Sequence, residues 1–110
     1  MSNKEAKIEV RALENGTTRL ILRGGRGNPL SPELLEEMDQ AMDALIENPP
    51  KVLIIDADGS PIFSGGFALP IIAYWRRDQL HGFFSQFLSI VHKILKIQSF
   101  TITVLEGHAI

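Results

Sequence analysis

The run Val52-Leu53-Ile54-Ile55 limits what this chain can fold into more than any other stretch of it. It is short and apolar at every position, with Asn48-Pro49-Pro50 before it and Asp56-Ala57-Asp58-Gly59-Ser60 after it. An unbroken apolar run of that length predicts a strand buried on both faces and parallel to its neighbour, because a strand with one wet face would alternate. A parallel strand needs a crossover element before it. The preceding segment supplies one. Ser31-Pro32-Glu33 opens a helix well, with Ser as N-cap, Pro at the first helical position and Glu at the positive end of the macrodipole. Leu34, Leu35, Met38, Ala41, Met42, Leu45 and Ile46 then fall at helical spacing on one face, with Glu36, Glu37, Asp39, Gln40 and Asp43 largely on the other. Asn48-Pro49-Pro50 ends the helix.

The remaining segments fit the same alternation. Ile8, Glu9, Val10 and Arg11 alternate within the stretch from Lys7 to Leu13, and Asn15-Gly16 tolerates the positive φ of a tight hairpin turn. Thr17 to Leu22 then supplies the antiparallel return strand. Arg23-Gly24-Gly25-Arg26-Gly27-Asn28-Pro29 cannot continue it and must be a loop. Beyond the buried strand, Pro61-Ile62-Phe63-Ser64-Gly65-Gly66-Phe67-Ala68-Leu69-Pro70 leads toward a second helix. That helix carries Phe83, Phe84, Phe87, Leu88, Val91, Ile94 and Leu95 at three- and four-residue spacing, and its phenylalanines are expected in the core. Thr101 to Leu105 reads as a further strand, aimed at Gly107-His108-Ala109-Ile110. The class is α/β.

Composition narrows the function. A chain of 110 residues makes one domain, spanning 1–110, and should bury roughly two-thirds of its unfolded surface. With no Cys, disulfide scaffolds, zinc ribbons and thiol nucleophiles are excluded. Eleven Lys+Arg stand against thirteen Asp+Glu, and the basic residues are scattered, which argues against nucleic acid as a partner. No apolar stretch is long enough to span a membrane, and Met1-Ser2-Asn3-Lys4-Glu5 leads into no secretory core, so a cytoplasmic domain is the expectation.

Read from the residues alone, the two glycine-containing strand exits are where backbone chemistry is possible. Gly65-Gly66 lets the main chain approach a ligand and aim successive NH groups at one anionic oxygen, although the same glycines would serve simply to turn the chain. The loop from Arg23 to Gly27 could hold phosphates, but it lacks both the P-loop Lys-Ser/Thr and the dinucleotide spacing, and would serve equally as a plain connection. Asp56 and Asp58 could pair for acid/base work, but Asp-Gly-Ser is also what a turn needs. His81, His92 and His108 are too scattered for a metal site, and His92 is expected to be partly buried and hydrogen-bonded. Tyr74-Trp75-Arg76-Arg77 mixes aromatic and cationic side chains and suits an interaction edge or the mouth of an apolar tunnel.

The order of these segments resembles a known family. The hairpin, the loop through Arg23 and Asn28-Pro29-Leu30-Ser31, the Ser31-capped helix, the strand Val52 to Ile55, Ile62-Phe63-Ser64-Gly65-Gly66-Phe67-Ala68-Leu69 and Thr103-Val104-Leu105-Glu106-Gly107-His108-Ala109-Ile110 together resemble the amino-terminal part of the crotonase (enoyl-CoA hydratase/isomerase) superfamily. The resemblance spans nearly the whole chain. It implies a crotonase-like ββα superhelix of the ClpP/crotonase type, here an incomplete amino-terminal part, commonly assembled as trimers or hexamers. It also implies an acyl-CoA thioester as substrate, with coenzyme A part of that substrate and no permanent cofactor.

The chemistry implied is of the hydratase or isomerase kind, in which two backbone NH groups stabilise an enolate-like thioester oxyanion. The first donor lies at the residue after the Gly of a Phe-Ser-Ala-Gly-Ala-Asp-Leu-like segment. Here that is the NH of Phe67, flanked by Gly65, Gly66 and Ala68. A bulky Phe thus stands at a usually small position, and Ala68 stands where Asp is usual. Gly25, Arg26 and Asn28 match the segment that lies along the CoA moiety, where Arg26 offers charge to phosphate. The second donor belongs to a Gly-x-Ala-x-Gly-Gly-Gly motif, of which Gly107-His108-Ala109-Ile110 is the start. The acidic residues that serve many members as acid or base lie farther on, so the chain alone is expected to hold half a site. Two other readings remain. One is a non-catalytic regulatory module of the STAS type with Ser60 or Ser64 as a phosphosite. The other is a crotonase-like subunit that serves assembly.

Overall fold

The computed structural model describes residues 7–109, so Met1-Ser2-Asn3-Lys4-Glu5 and Ile110 lie outside the described residues. The antiparallel hairpin forms as read, from β1 (Ile8–Ala12) and β2 (Thr17–Leu22), paired from Ile8 against Leu22 to Ala12 against Thr18. Its turn is one residue wider than the Asn15-Gly16 dipeptide. Leu13 donates its NH to the Thr17 carbonyl at 2.7 Å, and Asn15 and Gly16 take φ of 61° and 74°. Those two residue types tolerate that conformation where others strain.

From β2 the chain crosses over through α1 (Pro32–Glu47) and returns in β3 (Val52–Asp56), parallel to β2. The Ser31 side chain caps α1 by accepting from the Leu34 NH at 3.2 Å. A three-residue strand β4 (Ile62–Ser64), a single helical turn α2 (Leu69–Ile72) and the long α3 (Arg77–Lys96) follow. Then β5 (Phe100–Thr103) adds to β3, again parallel, to complete the sheet order β1-β2-β3-β5. This strand starts one residue earlier and ends two sooner than the apolar pattern from Thr101 to Leu105 suggests. The last strand, β6 (His108–Ala109), leaves this sheet to pair with β4.

Both long helices cover one face of the sheet. Leu20, Leu22, Leu53 and Ile55 meet Leu34, Leu35, Met38 and Met42 of α1 and Phe83 and Ile90 of α3 in one apolar cluster. Each fully buried Leu there contributes about 1.5–3 kcal/mol of transfer free energy. Polar contacts tie the helices together above it: Lys93 reaches Asp39 and Asp43, and Gln86 donates to Glu36 at 3.0 Å.

The opposite face corrects one expectation. Val52 and Ile54 are only partly buried, because among the described residues no second layer of helices covers that side. Instead, charge closes half of it. Ile21 faces this side between Glu9 and Asp56, yet is 0% exposed. Arg19 pairs with Asp56 and Asp58, while Arg23 pairs with Asp58 and Glu9, so a chain of ion pairs from Glu9 to Asp56 runs along the side of the sheet that Ile21 faces. Asp56, the last residue of β3, and Asp58, in the turn after it, are therefore ion-paired, and Asp58 also donates its NH to the Asp56 carboxylate at 3.1 Å. Neither is placed for acid/base work.

These pairs set the acid response. Hydrogen bonds from Arg19 and then Arg23 hold the Asp58 carboxyl below its ordinary range, and Arg11 and then Arg23 do the same for Glu9. A lowered folded-state pKa gives stability that is complete above the unfolded value, about 4 for these groups, and is lost as pH falls through the lower folded value. Thermal melts should thus weaken below about pH 4. The variant Arg23→Met should be less stable than the parent at pH 7 and converge on it in acid. Parallel curves for the two proteins would show that the pairs contribute nothing.

The second helix departs from expectation at Phe84 and His92. Phe83 and Ile90 are buried, but Phe84, Leu88, Val91 and Leu95 form an exposed stripe, with Leu95 at 79% exposure, and His92 beside them is exposed too. Ile46 of α1 likewise lies outside the core. Contiguous apolar surface of this kind drives association. Static light scattering should show the apparent mass rising with concentration, and Leu88→Glu together with Leu95→Glu should flatten that rise. A concentration-independent monomer mass for the parent would overturn the expectation.

Candidate functional site

The pairing of β4 with β6 brings the two glycine-containing exits together. Ile62 lies opposite His108 and Ser64 opposite Ala109, so Gly107-His108-Ala109 runs beside the start of Gly65-Gly66-Phe67. Gly107 has no alternative there. Its φ is +85°, and a Cβ would sit 2.0 Å from the Pro61 carbonyl oxygen. The other neighbour is the loop after β2. Gly65 donates to the Gly27 carbonyl at 2.7 Å, and the Ser64 hydroxyl donates to the Asn28 carbonyl at 3.0 Å. Gly25, Arg26, Asn28, Gly65, Gly66, Phe67 and Ala68 thus form one neighbourhood.

Asn28 organises it. Its side chain is buried, accepts the Gly24 NH at 2.6 Å and donates toward the Ile62 carbonyl at 3.4 Å, and its own φ is 43°. That side chain is occupied in holding the loop shut. Arg26 is exposed and, among the described residues, forms no ion pair, which leaves its guanidinium available to an anion.

The amides from 65 to 69 divide clearly. Gly66 donates to the Ser64 hydroxyl at 3.1 Å, Ala68 to the Leu30 carbonyl at 3.1 Å and Leu69 to the Phe67 carbonyl at 2.8 Å, in addition to the Gly65 bond. Among the described residues the Phe67 NH alone in this set has no acceptor. An unpaired backbone NH is rare away from water, and an oriented one beside an apolar space can stabilise negative charge on a bound oxygen. The space is present. A groove of about 420 Å³ is lined by Leu30, Gly65, Gly66, Phe67, Leu69 and Phe87.

The Phe67 ring leans on α3, edge-on to Phe83, Phe84 and Phe87 at centroid distances of 5.7, 5.1 and 5.1 Å. Its bulk is accommodated by that aromatic cluster, and Ala68 in place of a carboxylate leaves the loop pinned by the Leu30 bonds. Trp75 packs edge-on to Phe83 at 5.5 Å, whereas Tyr74 is exposed, so the Tyr74-to-Arg77 segment is half core and half surface. Ser64 is 8% exposed with its hydroxyl doubly engaged, which closes it to a modifying enzyme in this conformation. Leu30 and Phe87 were not marked out by the sequence as site residues. Their only signal is that both are apolar, and the long-range placement that matters is invisible in a pattern.

No protein-family model matches the sequence, and no curated protein matches it. Solved structures do. An enoyl-CoA hydratase of Geobacillus kaustophilus superposes with a TM-score of 0.87 at 24% identity, over 96% of this chain and 40% of that one. The chain has the crotonase fold. Enoyl-CoA hydratases of Bacillus anthracis and Mycobacterium smegmatis agree, each with a TM-score of 0.84, at 22% and 21% identity over 92% of this chain. The chain spans about 40% of the length of these neighbours and corresponds to the amino-terminal part of the crotonase fold. Among the described residues no helix is long and apolar enough to cross a membrane, and no group of three or more His, Asp or Glu could hold a metal ion.

Proposed function

We propose that this chain provides the acyl-CoA-facing part of a crotonase-type site. The unpaired NH of Phe67 is one oxyanion donor, and the loop through Gly25, Arg26 and Asn28 lies along the CoA moiety. The observation that carries the reading is the unpaired Phe67 NH at an apolar groove, between amides that are all engaged. The charge that develops on a thioester carbonyl during enolisation needs a preorganised dipole in a site with little water. This NH is held by bonds on both sides of it. The free guanidinium of Arg26 supplies charge for a phosphate on the same side of the fold. Hydration or double-bond isomerisation of an enoyl thioester is the chemistry that such a donor serves. It proceeds in an oligomer, in which the exposed stripe of α3 is covered.

Isothermal titration with acetyl-CoA and with CoA tests the reading. Both should bind, and Arg26→Ala should weaken both to a similar degree, because the phosphates are common to them. Absence of binding for every CoA species would overturn it.

A further inference from the structure

The tip of the hairpin between β1 and β2 carries a residue pair that the Phe67 site does not use. Asn15 and Gly16 are both exposed, with φ of 61° and 74°, in a turn that buries no residue. A similar backbone pair recurs at Asp58 and Gly59, with φ of 55° and 77°. Side chains separate the two turns. Both Asp58 oxygens are held, one by Arg19 and one by Arg23, each at 2.9 Å, and an ionised carboxylate offers no leaving group. Asn15 carries an amide, which does offer one. Of the described asparagines only Asn28 has its side chain in hydrogen bonds, so the Asn15 amide is held by nothing among the described residues. The residue that follows decides which amide can be attacked. Asn28 and Asn48 precede Pro29 and Pro49, whose nitrogens carry no hydrogen to give up. Asn15 precedes a glycine, whose nitrogen carries one and whose lack of a side chain leaves the approach open.

We propose that the hairpin tip is a modification site, at which Asn15 converts spontaneously to isoaspartate. The Gly16 nitrogen attacks Asn15 Cγ. A C–N bond forms, the Cγ–Nδ2 bond breaks, and Nδ2 leaves as ammonia with the proton that the Gly16 nitrogen gives up. Water then opens the five-membered imide. Cleavage at Cγ gives aspartate, whereas cleavage at the main-chain carbonyl gives isoaspartate, in which the chain runs through Cγ and is longer by one carbon. One water enters for each ammonia released. The excursion that brings the Gly16 nitrogen onto Cγ moves only the exposed tip, so it is a local opening and needs no global unfolding. The added carbon matters because the tip is tied on both sides. Leu13 donates to the Thr17 carbonyl at 2.7 Å, and the Gly16 carbonyl accepts the Lys51 NH at 2.8 Å where the chain enters β3. A longer turn misplaces both bonds.

The test ages the protein beside a free peptide of residues 12–19 at mildly alkaline pH and follows both by peptide mass spectrometry. Both should gain the mass of an amide-to-acid exchange at Asn15, with Asn28 and Asn48 unchanged. An isoaspartyl carboxyl-methyltransferase with a labelled methyl donor should then mark the aged protein at residue 15. Aged protein should melt about 4 °C or more below fresh protein, the shift expected when two hydrogen bonds are lost. Asn15→Gly keeps the left-handed turn without the amide, so ageing should change neither its mass at residue 15 nor its melting temperature. Ile55→Val, in the buried core, raises the unfolded fraction about 2- to 12-fold and should modify at the parent's rate, because the opening is local. An Asn15 that stays intact while the peptide converts overturns the proposal, as does a mass gain that takes no methyl label. A rate that rises in Ile55→Val also overturns it, since the tip would then react only through unfolding. Modified protein that melts with the parent overturns the claim that the longer turn breaks its two bonds.

Discussion

On the proposed reading, in this chain completed by the carboxyl-terminal part that supplies the acid and base, replacing the amide at Phe67 by an ester, with the benzyl side chain kept, should lower kcat for an enoyl-CoA by about 10²- to 10³-fold, the loss seen when one oxyanion donor is deleted. The semisynthetic ester exchanges the N–H for an oxygen, which also weakens the Gly66 carbonyl that accepts the Leu30 NH, and leaves the ring against Phe83, Phe84 and Phe87. Ground-state affinity for the thioester should change little, because the NH interacts most strongly when charge has moved onto oxygen. The enolate absorbance of bound acetoacetyl-CoA gives a second readout and should be lost in the ester. Phe67→Ala is the complementary variant. It keeps the NH and removes the ring, so its defect should appear in stability and in groove shape before it appears in enolate formation. An unchanged kcat in the ester would assign the donor elsewhere, and the unpaired NH would then be a feature of the turn alone.

Much of this arrangement is written locally in the sequence, and the residues show where that stops. The hairpin, α1 and β3 follow from alternation, a Ser-Pro-Glu start and an unbroken apolar run, each of which acts over a few positions. The outer stripe of α3 does not. Phe83, Phe87, Ile90 and Ile94 form one face, and Phe84, Leu88, Val91 and Leu95 form the adjacent one, offset by a single residue. Periodicity cannot say which of two neighbouring apolar faces meets the sheet, so Phe84 reads as core while the structure leaves it exposed. Val52 and Ile54 fail for a related reason: an apolar run announces hydrophobic surface without saying what covers it. The two-stranded β4 and β6 pair lies at the other extreme. Strands of three and two residues have almost no pattern of their own, and they exist because Gly107 lets the chain pass against Pro61. The position of Phe67 was legible through a resemblance of segment order. The engagement of every neighbouring amide was not, since it depends on Leu30, Gly27 and Ser64, distant in sequence or committed by side-chain geometry.

Asn28→Ala should be the most damaging single change in the loops, with a loss of about 2–5 kcal/mol in urea unfolding. Two effects add. The Gly24 NH and, more weakly, the Ile62 carbonyl lose a buried partner, and a buried unsatisfied amide costs about 1–3 kcal/mol. Alanine at φ 43° then adds about 1–2 kcal/mol of left-handed strain that Asn tolerates. Asn28→Gly separates the two, because glycine relieves the strain without restoring the bonds, and it should recover about 1 kcal/mol of the loss. Equal stability of the Ala and Gly variants would remove strain from the account, and a parent-like Ala variant would remove both effects. The damage should also reach the site. The Asn28 carbonyl accepts the Ser64 hydroxyl, and that hydroxyl oxygen accepts the Gly66 NH, the amide immediately before Phe67. When Asn28 no longer fixes the loop, Ser64 loses its anchor, Gly66 its acceptor, and the Phe67 NH its direction. The enolate absorbance of bound acetoacetyl-CoA, measured per folded molecule, should therefore fall in Asn28→Ala, while Arg26, exposed and independent of these bonds, still attracts CoA phosphates and ground-state affinity changes little.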